Sequence, residues 1–203
     1  MPNVNLVELE TCLETLLAFL ERNVRKSYAA ENKDRVEGAL DLFRCALRDT
    51  DVVYNTWRVE RADGKLAYKL LHRHYVRLQR QLEDEGAMGW PEQSVEYYLE
   101  EDSTMGACRE MREYLARYRQ QIDFADEEIG NLDRLIENAG REVTEAGAAL
   151  SDYRKLSGRR KSAMEHAIEL IKDLRPVVRR DLGVEHPEYY GIKWPAAVSP
   201  DPM

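Results

Sequence analysis

Residues 122–153 read IDFADEEIGNLDRLIENAGREVTEAGAALSDY, with an apolar residue every third or fourth position and alanine in several of them. A spacing that averages 3.5 keeps one face of a helix apolar, as in a coiled-coil seam. Extended toward the N-terminus, the seam runs without interruption through Cys108, Met111, Leu115 and Tyr118, joining Ile122 and ending at Tyr153. One helix over that span would measure on the order of 70 Å at a rise of 1.5 Å per residue. This stretch decides the fold class: an all-α helical bundle with a long heptad-patterned, coiled-coil-like helix or a helical hairpin.

The next stretch, LSGRRK at 156–161, is where the seam weakens, because Ser157 and Arg160 take positions due to apolar residues. A turn there gives an antiparallel hairpin; without a turn, one helix continues. The pattern resumes as Met164, Ala167, Ile171, Leu174 and Val178 and ends at Gly183, a residue suited to a helix C-cap.

Upstream, Leu6, Leu9, Leu13, Leu16 and Leu20 mark a first amphipathic helix ending near Ala30. A second runs from Asp34 through Val36, Leu40, Phe43, Leu47, Val53, Tyr54 and Trp57, with Asp49–Thr50–Asp51 as a weak point. ADGK at 62–65 offers a turn, and Leu71, Tyr75, Leu78 and Leu82 form a third helix that stops near Gly86. The organisation expected is therefore a three-helix segment at 1–86 and a Gly- and Pro-rich connector at 87–102 with a short helix carrying Tyr97, Tyr98 and Leu99. The long heptad helix, N-capped by Ser103, and a C-terminal helix occupy 103–183. The last stretch, 184–203, reads as an extended tail rich in proline and aromatics, with no regular helix.

A 203-residue chain with 43% hydrophobic residues can build a core, and its 33% charged residues point to helices with solvated faces. Cys12, Cys45 and Cys108 are odd in number and lack C-x-x-C spacing, which predicts neither a disulfide framework nor a zinc site. The start, MPNVNLVELETCLETLLAFLERN, has acids where a secretory leader needs bases. No apolar run approaches the roughly 20 residues of a membrane span. A cytoplasmic protein with no membrane partner is expected.

Charge is segregated within a net −8. Arg58, Arg61, Lys65, Lys69, Arg73, Arg77 and Arg80 make one basic stripe at helical spacing, and residues 154–180 are also basic, while 83–145 are strongly acidic. Three outcomes are open: the stripe pairs with the acidic helix, it contacts phosphates of a nucleic acid, or it meets an acidic protein partner or an anionic surface. The pI of about 5.2 weighs against a dedicated nucleic-acid domain.

Two further segments suggest partner docking. Ala139, Gly140, Ala146 and Gly147 form a flat strip with little side-chain bulk, open to close approach by bulky side chains of the same bundle, by a second copy or by a partner helix. In the tail, Tyr189, Tyr190 and Trp194 crowd between prolines and either fold back on the bundle or anchor another protein.

Chemical motifs are sparse. None of the four His follows a Glu by three positions, as a di-iron bundle needs, and His72 and His74 point to different sides of a helix. Glu110 with Glu113, Asp123 with Asp126, and Glu142 with Glu145 have an acid-x-x-acid spacing able to chelate Mg²⁺, but these positions fall mostly off the seam. Phosphate loops, nucleophile elbows and H-E-x-x-H are missing. No catalytic, cofactor-binding or metal residue is assigned. The sequence points to a non-enzymatic protein–protein interaction subunit, an adaptor or regulator in a cytoplasmic assembly. The alternatives are an accessory subunit of a nucleoprotein complex and a Mg²⁺-dependent helical hydrolase.

Overall fold

Asn5 accepts a hydrogen bond from the Val7 backbone N–H at 3.0 Å and so caps the first helix. The computed structural model describes residues 5–86 and 101–195, without the side chains of 101 and 102. Among these residues the helices are α1 (Leu6–Arg22), α2 (Ser27–Asp84), α3 (Glu101–Arg117), α4 (Ala125–Leu182) and the single turn α5 (Pro187–Gly191). Among the described residues there is no strand. The fold is all-α, with two long helices. The expected connector helix at Tyr97–Leu99 and the end of the tail lie outside the described residues.

The chain forms two compact units, one of residues 1–53 with 153–203 and the other of residues 54–152. In the first, Leu9, Leu13, Leu16 and Leu20 of α1 meet Val36, Leu40 and Phe43 of α2 and Ala167, Ile171, Leu174 and Val178 of α4. Arg44 of α2 joins Glu10 and Glu14 of α1, and Asp181 of α4 takes up Lys26 and the Tyr28 hydroxyl. In the second, Ala67, Leu71, Tyr75, Leu78 and Leu82 of α2 pack with Cys108, Met111 and Leu115 of α3 and Leu132 and Ala139 of α4. Each fully buried aliphatic side chain contributes about 1.5–3 kcal/mol.

Several helix limits differ from the sequence reading. The first helix ends at Arg22 rather than near Ala30, and Asn23 to Lys26 form a turn before α2 begins at Ser27. Neither Asp49–Asp51 nor ADGK interrupts α2. Thr50 is buried and its hydroxyl donates to the Ala46 carbonyl at 2.7 Å, which closes the polar group on its own helix. Gly64 lies buried inside the helix, and a Cβ there would make an ordinary contact with the Glu142 carbonyl at 3.8 Å.

The long seam is not one helix. It turns at 118–124, where the Gln121 N–H bonds the Tyr118 carbonyl at 2.8 Å and the Ala125 N–H bonds the Ile122 carbonyl at 3.1 Å. Ile122 stays buried inside this turn, so the apolar spacing continues while the helix does not. The charges mark the reversal: Arg117 closes α3, and Asp126, Glu127 and Glu128 open α4, each sign favourable to the helix dipole it meets. Arg112 and Asp133, at 2.8 Å, and Arg119 and Asp126 bridge the two arms as an antiparallel hairpin. Through LSGRRK, by contrast, α4 is continuous, and Gly183 ends it with φ +83 as its sequence position implies.

The tail contains a helical turn where none was expected. Pro187 sits in the first turn, where its missing N–H costs no bond, and His186 Nδ1 accepts from the Glu188 N–H at 3.2 Å.

Candidate interaction surface

The basic stripe occupies the part of α2 that belongs to residues 54–152. Its core face, through Leu71, Tyr75 and Leu78, is buried, and all seven stripe residues lie on the exposed remainder. Arg77 is the exception in chemistry. Its guanidinium donates to Glu128 Oε1 at 2.7 Å and approaches His74 Nδ1 at 3.3 Å. Arg58, Arg61, Lys65, Lys69, Arg73 and Arg80 form no ion pair among the described residues. Arg58 and Arg61 instead lie over the rings of Tyr54 and Trp57, at 5.9 and 5.4 Å.

The acids of α4 explain why these six cations have no ion pair among the described residues. Asp126 and Asp133 are taken by arginines of the α3 side, and Glu142 and Glu145 by Arg141 of their own helix. Among the described residues, only Glu128 of α4 pairs with the stripe. Its side chain is 9% exposed, so its charge needs the Arg77 guanidinium, and Asn131 Nδ2 donates to its Oε2 at 3.3 Å. His74 Nε2 stands 2.8 Å from Glu128 Oε2, although the ring N–H is not aligned for a hydrogen bond. Burial holds the His74 pKa below the usual histidine value, against the pull of Glu128.

Beside the cations runs a row of exposed aliphatics: Val59 at 58%, Leu66 at 55% and Leu70 at 44%. A shallow groove of about 390 Å³ opens at one end of the row, lined by Asn55, Arg58, Val59, Ala62 and Asp63. On the other side of the row Asp63 meets Glu60 and Glu142, whose carboxylate oxygens all lie within 4.8 Å of one another. This trio crosses between helices, and its Glu142 also shares Arg141 with Glu145. Arg141 neutralises Glu142 at 2.5 Å.

The other docking candidates fall into different environments. Ala139 is fully buried in the core of its unit, and a Cβ on Gly140 would touch the Met105 methyl at 3.9 Å, an ordinary contact. Ala146 is half-buried and Gly147 is exposed with open space above it. In the tail, Tyr189 is buried, Trp194 half-buried and Tyr190 64% exposed. Trp194 Nε1 donates to the Tyr189 carbonyl at 3.2 Å, Arg175 Nε donates to the Tyr189 hydroxyl at 3.2 Å, and the Lys193 N–H reaches Thr15 Oγ1 at 3.1 Å. Tyr189 and Trp194 thus serve the chain's own core, and Tyr190 alone of the three aromatics faces outward.

The exposed aliphatic row is the feature that sequence reading missed. Its signal was available: Val59, Leu66 and Leu70 fall outside the core set at spacings of seven and four. Among the described residues no helix is long and apolar enough to cross a membrane. No protein-family model, curated protein or solved structure matches the chain.

Proposed function

We propose that the protein is a non-enzymatic interaction subunit, an adaptor or regulator in a cytoplasmic assembly, that binds another protein through the outer face of α2 between Arg58 and Arg80. The observation that carries this reading is the juxtaposition of exposed Val59, Leu66 and Leu70 with six cations that lack ion-pair partners among the described residues. Desolvating exposed aliphatics supplies affinity, and unpaired cations supply orientation and rate of encounter. A protein partner satisfies both.

The six cations without ion pairs among the described residues also favour a second reading, contact with nucleic-acid phosphates. The two readings separate in an affinity capture from the source cell at low salt, split into nuclease-treated and untreated halves. The same capture is run with Lys65, Lys69 and Arg73 changed to Glu; Arg77 is left in place because it holds Glu128. A protein partner that survives nuclease and is lost from the charge-reversed variant supports the adaptor reading. Partners lost on nuclease treatment, with nucleic acid recovered from the untreated half, support phosphate contact.

A further inference from the structure

The geometry points to a specific kind of partner: we propose that the Val59–Leu66–Leu70 row receives an acidic amphipathic helix from another protein. This rests on the interaction reading above and gives its partner a chemistry. At 100° per residue the three aliphatics fall within an arc of about 40° on α2. That width suits the narrow seam of a helix pair rather than the face of about 100° or more that an amphipathic helix buries in a core or interface. The groove at Val59 and Ala62 gives a knob from the partner a place to enter.

The flanks of the row differ in sign. Arg58, Lys65 and Lys69 line one side, exposed and without ion pairs among the described residues, whereas Asp63, with Glu60 and Glu142 behind it, lines the other. A partner helix with carboxylates along one flank matches the first side, and a Lys or Arg on its opposite flank would meet Asp63 and Glu60, Glu142 being paired with Arg141. Flanking charges of this kind set the choice of partner in helix pairs. A phosphate backbone has no use for three desolvated aliphatics, and the Asp63 and Glu60 carboxylates on the second flank weaken the pull of the cations on an anionic lipid surface.

The probe is a fluorescent helical peptide of about three heptads with Leu on its seam and Glu on its flanks, compared with the same seam flanked by Lys. Vesicles containing phosphatidylserine and a short DNA duplex serve as competitors from the other two classes. The full chain should bind the Glu-flanked peptide about tenfold or more tightly than the Lys-flanked one, and lose about tenfold in affinity on Leu66→Asp or on Lys65→Glu with Lys69→Glu. Leu66→Ala, which adds no charge, should weaken binding in the same direction, and circular dichroism melts should show all variants folded.

Equal binding of the two peptides, no binding, indifference to both Leu66 substitutions, or binding to vesicles or duplex in place of peptide would overturn the proposal. If the peptide fails while lysate capture still depends on Lys65, Lys69 and Arg73, the interaction reading stands without the helical partner. If capture is indifferent as well, both readings fall.

Discussion

Three thiols in one chain differ by environment alone. Cys12 and Cys108 are buried, and loss of solvent pushes each pKa up to about 12, while Cys45 is exposed beside the Arg48 guanidinium at 3.6 Å. The thiolate is the reactive form, so a thiol reagent added to native protein should label Cys45 quickly, and the other two only on unfolding. Counting labelled sites by intact mass before and after adding denaturant checks this. His74 gives a second expectation. Its folded pKa lies below the unfolded value of roughly 6.5, so the folded state resists protonation and stability falls as pH drops through that value and below. Urea midpoints should be lower at acidic pH than at neutral pH, and His74→Gln should flatten that part of the slope. The sequence showed His74 as a helical residue on the margin of the core. It did not show Glu128, which lies 54 positions away in the chain and reaches His74 only through packing of α2 against α4.

At the scale of the element, helix faces were legible and helix ends were not. Burial follows the apolar spacing closely in α1 and in the core-facing parts of α2 and α4, because a buried face leaves its period in the sequence whatever ends the helix. The same fact hid the turn at 118–124. Ile122 is buried in a turn as firmly as it would be in a helix, and the better signal was the change from Arg117 and Arg119 to Asp123 and Asp126. ADGK misled in the other direction, since its glycine lies buried inside a continuous helix. Glycines on open helix surfaces should still cost stability. A Cβ added at Gly147 would have nothing within 4 Å, so Gly147→Ala should stabilise the protein by about 0.5–1 kcal/mol in chemical denaturation. Gly183→Ala should destabilise it, because φ +83 is unfavourable for a residue with a Cβ.

At the scale of the whole molecule, the two units have separate buried clusters, each built on its own segments of α2 and α4, with α1 in the first and α3 in the second. Leu78→Ala removes a fully buried side chain from the second cluster and should cost about 2–5 kcal/mol. Hydrogen exchange should place the loss of protection mainly within 54–152; an equal loss around Leu13 and Ile171 would mean that the two clusters open together. The fold class and the existence of a basic stripe were visible in the residues. Whether that stripe is covered depends on which arginines claim the acids of α4, and Arg112, Arg119 and Arg141 reach them first. Composition carries no trace of that competition.

The first unit takes its residues from both ends of the chain, with the second unit's sequence between them. A ribosome therefore delivers Leu13, Leu16 and Phe43 long before the Ile171 and Val178 that cover them. At roughly 5–20 residues per second, that interval is on the order of ten seconds, during which the leading helices are without their lid. The middle of the chain is the part able to finish first. Newly made chains are thus expected to hold the attention of chaperones around residues 9–43 until Ile171 and Val178 have been added.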